Sequence, residues 1–181
     1  MTITRTLPEK VRALDDALRD VPHAFGGAIA LAYYAEPRAT VDIDVNVFIP
    51  EADARRAIEP LREVGVTTDK AAVTRATTEG QVRLAWDGTP VDLFFSYDAF
   101  HDAAQRSVRE VPFADGTIPI LGPEHLVVCK VVFDRPQDWV DIAAIRDAGT
   151  RVDGAEIVRW VQRIVGDDDP RYERIIELLV L

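Results

Sequence analysis

Three aspartates stand where carboxylates can act together. Asp42 and Asp44 lie in a run where Val41, Ile43, Val45, Val47 and Ile49 alternate with Thr40, Asp42, Asp44, Asn46 and Phe48. That alternation belongs to a β-strand, so the two carboxylates project from one face, about 6–7 Å apart along the chain. Ile43 points to the opposite face. Two ionised carboxylates this close repel each other unless a cation joins them. Hard divalent ions such as Mg²⁺ take oxygen donors of this kind, usually only a few of them from protein. Asp92 repeats the local grammar, a single carboxylate between Val91 and Leu93. If its strand pairs with 40–49, three carboxylates converge, the donor set of two-metal phosphoryl or nucleotidyl transfer. Taken alone, an Asp-x-Asp pair is equally the solvent face of a half-buried strand, and Asp92 an exposed strand residue.

The elements around these residues can be read from pattern. Pro50 ends the first strand, and the turn Asp87-Gly88-Thr89-Pro90 precedes the second, at 91–96. Phe25-Gly26-Gly27 closes a short apolar run, and 28–35 reads as a short apolar helix ended near Pro37. A glycine pair opening a helix lets phosphate approach the backbone closely. Residues 8–20 and 51–64 read as helices, 66–76 and 80–86 as weaker strands, and 98–106 as a helix. Residues 108–121 look like a hairpin around Ala114-Asp115-Gly116. From Pro123 onward the pattern is helical, over about 123–133, 137–147, 154–165 and 170–180. The expected architecture is α+β (α/β): a core at 1–122 with a mixed β-sheet flanked by helices. A helical C-terminal part at 123–181 is expected to pack on it as one compact unit.

Bulk properties limit the alternatives. The chain has 181 residues, 48% of them hydrophobic, which suffices for a core without disulfides. Cys129 is the one cysteine, so neither an internal disulfide nor a zinc-ligand spacing is present, and a reducing, cytoplasmic setting is expected. No apolar stretch reaches the ~20 residues of a membrane span, and residues 1–10 lack the apolar core of a signal peptide. The formal net charge of −10 argues against broad, charge-driven nucleic-acid binding, though not against a local basic groove. Arg75, Arg83, Arg106, Arg109, Arg159 and Arg163 are dispersed candidates for one. Neither a P-loop nor a serine-hydrolase elbow occurs. His23, His101 and His125 are too scattered for a metal site, and packing accounts for Trp86, Trp139 and Trp160.

Two blocks carry a family resemblance. The first runs from Gly26-Gly27 through Arg38 and Thr40 to Asp42 and Asp44, with Asp92 later. It resembles the DNA polymerase β nucleotidyltransferase superfamily, in particular the AbiEii/AbiGii-type toxins that include the mycobacterial MenT group. The second is Pro123-Glu124-His125-Leu126 leading to Lys130, then Arg135-Pro136-Gln137-Asp138-Trp139-Val140-Asp141. It is similar to that family's later motif. The resemblance spans roughly residues 22–146.

It implies a nucleotidyltransferase fold and transfer of NMP from an NTP to an acceptor hydroxyl, with Mg²⁺ or Mn²⁺ as cofactor. The implied acceptor is the 3′ end of tRNA, and the implied setting a toxin–antitoxin pair with a cognate antitoxin. A protein or small-molecule acceptor, or a non-catalytic nucleotide-binding protein of the same fold, is the alternative. By the same resemblance Asp42, Asp44 and Asp92 hold metal, and Asp92 orients or deprotonates the attacking hydroxyl. Gly26, Gly27, Arg38, Thr40 and Lys130 contact nucleotide or phosphate, and Asp141 positions Lys130 or the nucleotide. Many relatives carry serine where this chain has Gly27, so phosphate binding here leans on backbone N–H groups. The plain alternatives are a lysine snorkelling from an apolar helix, a surface arginine and a helix-surface acid at positions 130, 38 and 141. Asp138 reads as a helix cap.

Overall fold

A computed structural model describes residues 5–179. They divide into two compact units, one of residues 5–29 and 39–121, the other of residues 30–38 and 122–179.

The first unit is built on a six-stranded mixed sheet. Its strands are β1 (His23–Phe25), β2 (Ile43–Pro50), β3 (Gln81–Trp86), β4 (Thr89–Ser96), β5 (Arg109–Phe113) and β6 (Gly116–Ile120). Their order across the sheet is β3-β4-β2-β1-β6-β5. β2 lies parallel to β4 and antiparallel to β1, while β1 and β6 run parallel. The two hairpins, β3–β4 and β5–β6, are antiparallel. Central β2 explains its own sequence: Ile43, Val45, Val47, Phe48 and Ile49 are all buried, as an interior strand covered on both faces requires. Four helices accompany the sheet: α1 (Leu7–Ala17), α3 (Arg55–Glu63), α4 (Ala72–Glu79) and α5 (Ala99–Arg106). The short α2 (Gly27–Leu31) follows β1 directly.

The sheet and hairpins match the sequence expectations, and four local details differ. The stretch expected as a strand at 66–76 contributes one bridge, Thr67 to Ala85, and then enters helix α4. Its β-branched residues suggest a strand, but Ala72 and Ala76 give the helix an i, i+4 buried stripe. Thr77 and Thr78 donate their hydroxyls to the carbonyls of Val73 and Thr74, which lets them sit in helical backbone. The run ending at Phe25 is a strand of three residues, too short to show alternation. The helix expected over 28–35 closes at Leu31, and Asp42 stands just ahead of β2 rather than inside it.

The second unit is helical: α6 (Pro123–Phe133), α7 (Pro136–Asp147), α8 (Gly154–Val165) and α9 (Pro170–Leu179). α6 is apolar almost all round and carries seven buried residues, the pattern of a central helix. Residues 30–38 belong here through distant anchors: the Thr150 hydroxyl donates to the Tyr34 carbonyl at 2.6 Å, and Arg38 pairs with Asp141. Asp138 caps α7 as expected, accepting from the Arg135 N–H at 3.1 Å. Among the described residues no helix is long and apolar enough to cross a membrane.

Candidate active site

In the first unit the strand register gathers the acids. β2 and β4 are neighbours, with Asp44 directly opposite Asp92. Residues opposite one another across neighbouring strands share a face, about 4.8 Å apart between strands. Asp42 lies two residues before Asp44. Thr40 fixes it: its hydroxyl is 2.7 Å from Asp42 Oδ1 and 3.2 Å from the Asp42 carbonyl. The Thr40 oxygen is therefore engaged with the carboxylate it precedes.

The row extends one strand further, to one of the dispersed arginines. Arg83 on β3 is opposite Asp92 on β4. Its Nε donates to Asp92 Oδ1 at 2.8 Å and its Nη2 to Asp92 Oδ2 at 2.7 Å. This is the two-pronged fork that a guanidinium makes with a carboxylate. Arg83 is held above its ordinary pKa, first by hydrogen bonding to Asp92 and by its charge, with Asp42 and Asp44 adding to the field. All three aspartates thus act on one cation. The signal was in the sequence. Asp87 and Gly88 both adopt positive φ, +46° and +79°, as a two-residue hairpin turn of the I′ kind demands. Counting outward from that turn pairs 86 with 89, 84 with 91, and 83 with 92.

The Gly26-Gly27 turn is wrapped against Asp44. The Gly26 N–H donates to the Asp44 carbonyl at 2.9 Å. Gly27 has φ +50°, and a Cβ placed there would lie 1.8 Å from Asp44 Oδ2 and 2.7 Å from its carboxyl carbon. A serine at this position, common in the resembled family, would collide unless the Asp44 carboxylate turned away. Gly27→Ala is therefore expected to cost about 2–4 kcal/mol, from the left-handed backbone and the overlap together. Gly26→Ala meets the Asn46 amide nitrogen at 2.8 Å and Leu121 Cδ1 at 3.4 Å, both side-chain ends that can shift. Urea unfolding of both variants checks this: a Gly27→Ala midpoint equal to or above that of Gly26→Ala would contradict the packing argument.

The second unit holds the other candidate residues in one ion-pair network. Lys130 Nζ lies 2.6 Å from Asp141 Oδ2 and 3.5 Å from Asp138 Oδ1, with all three side chains at most 3% exposed. Asp141 also receives Arg38 through Nε and Nη2, both at 2.9 Å, and the Gln137 amide at 2.9 Å. Asp138 is forked by Arg135. Burial pushes the Asp141 pKa up, but hydrogen bonds from Arg38, Lys130 and Gln137 win and hold it at about 2. Lys130, Arg38 and Asp141 are thus brought together: the Lys130–Asp141 pairing is the one the resemblance implies, while the Arg38 contact spans 103 residues.

Asp42, Asp44 and Asp92 offer the hard oxygen donors that Mg²⁺ or Mn²⁺ takes. One of them, Asp92, already holds a cation, the guanidinium of Arg83, and in that respect the donor chemistry fits a divalent ion. As the side chains stand, no three metal-ligating groups among the described residues are drawn tightly enough to hold one. Of the dispersed arginines, Arg75 pairs with Asp69 and Arg159 with Glu156, while Arg163 stacks over Trp160. Trp86, Trp139 and Trp160 are buried.

No family model matches the chain, and no curated protein matches its sequence. Solved structures do match in shape. The solution structure of the antibiotic-resistance factor ANT(2″)-Ia aligns with a TM-score of 0.59 at 16% identity, over 94% of this chain and 95% of that one. The crystal structure of ANT(2″)-Ia with adenylyl-2″-tobramycin aligns with a TM-score of 0.60 at 15% identity, over 88% of this chain and 97% of the other. The mixed sheet with its flanking helices is thus the fold that ANT(2″)-Ia has.

Proposed function

We propose that the chain is a divalent-ion-dependent nucleotidyltransferase that moves NMP from an NTP to an acceptor hydroxyl. One observation carries the reading: Asp44 and Asp92 face each other across neighbouring strands, with Asp42 two residues upstream and a guanidinium forked onto Asp92. Carboxylates are assembled this way, at an electrostatic cost, where positive charge is to be held. The fold shared with the antibiotic-resistance factor ANT(2″)-Ia, solved with adenylyl-2″-tobramycin, supports the same direction.

In the proposed reaction the acceptor oxygen attacks the α-phosphorus in line. The bond from that phosphorus to the α,β-bridging oxygen breaks, and pyrophosphate leaves with its electron pair. The hydroxyl proton passes to Asp92 or through it to water. Asp42, Asp44 and Asp92 would hold a divalent ion, which would supply Lewis-acid polarisation of the phosphate and offset charge on the leaving group. Thr40 orients Asp42, and the bare backbone of Gly26 and Gly27 leaves room for phosphate beside Asp44. Lys130, Arg38 and Asp141 are assigned to phosphate and its positioning by the sequence resemblance.

Two acceptors are in play. The resemblance to AbiEii/AbiGii-type toxins implies the tRNA 3′ end, a toxin role and an antitoxin partner. A small hydroxylated molecule is favoured by the near full-length likeness to ANT(2″)-Ia and by the net charge of −10. A polyanion such as tRNA would have to overcome that charge.

The test is incubation with each α-³²P-labelled NTP and Mg²⁺, once with total tRNA and once with tobramycin and related polyols. Label in RNA supports the toxin reading, and label in the small molecule supports the other. No transfer to any acceptor, with no Mg²⁺-dependent NTP binding, would refute the catalytic reading.

A further inference from the structure

Arg83 occupies an unusual position for a residue that the reaction does not require. It lies on β3, the edge strand of the sheet, and its side chain is 65% exposed, while that of its partner Asp92 is 12% exposed. The guanidinium therefore covers the acid from the solvent side. Both Asp92 oxygens accept from it, so the acid that would complete a metal site is already matched with a cation. An edge-strand arginine is commonly a device for solubility. That account needs only a charge in water, not a fork onto an inward carboxylate flanked by two more acids.

We propose that Arg83 is the chain's own counter-ion for the carboxylate row: its guanidinium holds Asp92 in the ion-free protein, and a divalent cation engages all three aspartates only once that fork has opened. The inference rests on the nucleotidyltransferase reading and concerns how its metal site is gated. Three features make the exchange workable. The guanidinium offsets part of the repulsion among Asp42, Asp44 and Asp92, so the acids can be preassembled without an ion. A doubly charged ion beside Asp92 repels the guanidinium at short range, so the two compete for the same oxygens. Arg83 has little burial to lose on leaving, because most of its side chain is already in water. Once released, the fork matches phosphate oxygens as well as it matched the carboxylate. An NTP arriving with its ion would thus bring the group that accepts the displaced arginine.

The test is Mn²⁺ binding alone, by calorimetry or by electron paramagnetic resonance of free Mn²⁺, on wild type, Arg83→Met and Arg83→Lys. Methionine keeps the length of the stem without its charge, at an exposed edge position where folding tolerates it. The expected result is about tenfold tighter Mn²⁺ binding by Arg83→Met, the scale of a half-exposed bidentate ion pair. Arg83→Lys, charged but without the fork, should fall between it and wild type. Mn²⁺ should also raise the melting temperature of Arg83→Met more than that of wild type. Equal or weaker Mn²⁺ binding by a folded Arg83→Met, where wild type binds, overturns the counter-ion role and leaves the nucleotidyltransferase reading standing. Absence of Mn²⁺ binding in every variant overturns the counter-ion role, and the labelled-NTP transfer assay then decides the nucleotidyltransferase reading. If Arg83→Met fails to fold, Arg83→Lys decides alone, and an unchanged affinity there counts against the proposal.

Discussion

Asp44→Asn is expected to slow nucleotide transfer about a thousandfold while leaving the fold intact. Asp44 is the middle of the row, opposite Asp92 and two residues after Asp42, so its charge counts toward every cation held there. The amide has nearly the same size, and the packing of Gly27 against this side chain needs shape rather than charge. What is lost is one anionic oxygen donor. Charge stabilisation by a metal is worth several kcal/mol at the transition state, and ~4 kcal/mol corresponds to about three orders of magnitude in rate. Single-turnover transfer of label from the preferred NTP at saturating Mg²⁺ measures the rate, and the urea midpoint measures the fold. A variant within tenfold of wild type would remove Asp44 from the metal set. A variant with a collapsed urea midpoint would make its role architectural.

The separation between what the sequence shows and what it hides runs along contact range. β2 is legible because five of the seven successive buried or half-buried positions from Ile43 to Ile49 carry the β-branched and aromatic residues a central strand needs. Its pairing with β4 is legible from two matching carboxylate-in-apolar patterns. Arg83 is legible only by counting across the Asp87-Gly88 turn, because a charge alternating with Val82 and Leu84 reads first as a solvent face. Helix α4 is misread because its four β-branched residues, Val73, Thr74, Thr77 and Thr78, outweigh two buried alanines in any local tally. The Arg38–Asp141 pair is beyond local reading altogether, since 103 residues separate its members. Residues 30–38 fall in the helical unit for that reason, although in sequence they stand between two elements of the sheet unit.

Lys130→Met is expected to lower stability by about 3 kcal/mol, the lower end of the cost of removing one partner from a buried ion pair. Methionine fills the volume in α6, so the loss comes from charge. Asp141 and Asp138 would stay buried with one cation fewer, although Arg38 and Gln137 still serve the first and Arg135 the second. Against a typical total of about 5–15 kcal/mol this is a large fraction, and a melting temperature lower by roughly 10 °C is the matching reading. The same network predicts an acid dependence in the wild type. Asp141 has a folded pKa of about 2, below its ordinary 3.8, so its contribution is full above about pH 4. That contribution falls away as pH drops from about 4 toward 2, because the unfolded chain takes up the proton first. Lys130→Met should flatten this slope, since one of the hydrogen bonds holding the carboxylate ionised is gone. Urea midpoints at pH 3 and pH 6 for both proteins test the sign and the flattening together. Near-wild-type stability with lost transfer would instead place Lys130 on the phosphates, and its ion pair would then be a resting partner. A stability loss with transfer proportionate to the folded fraction would make the lysine a strut of the helical unit.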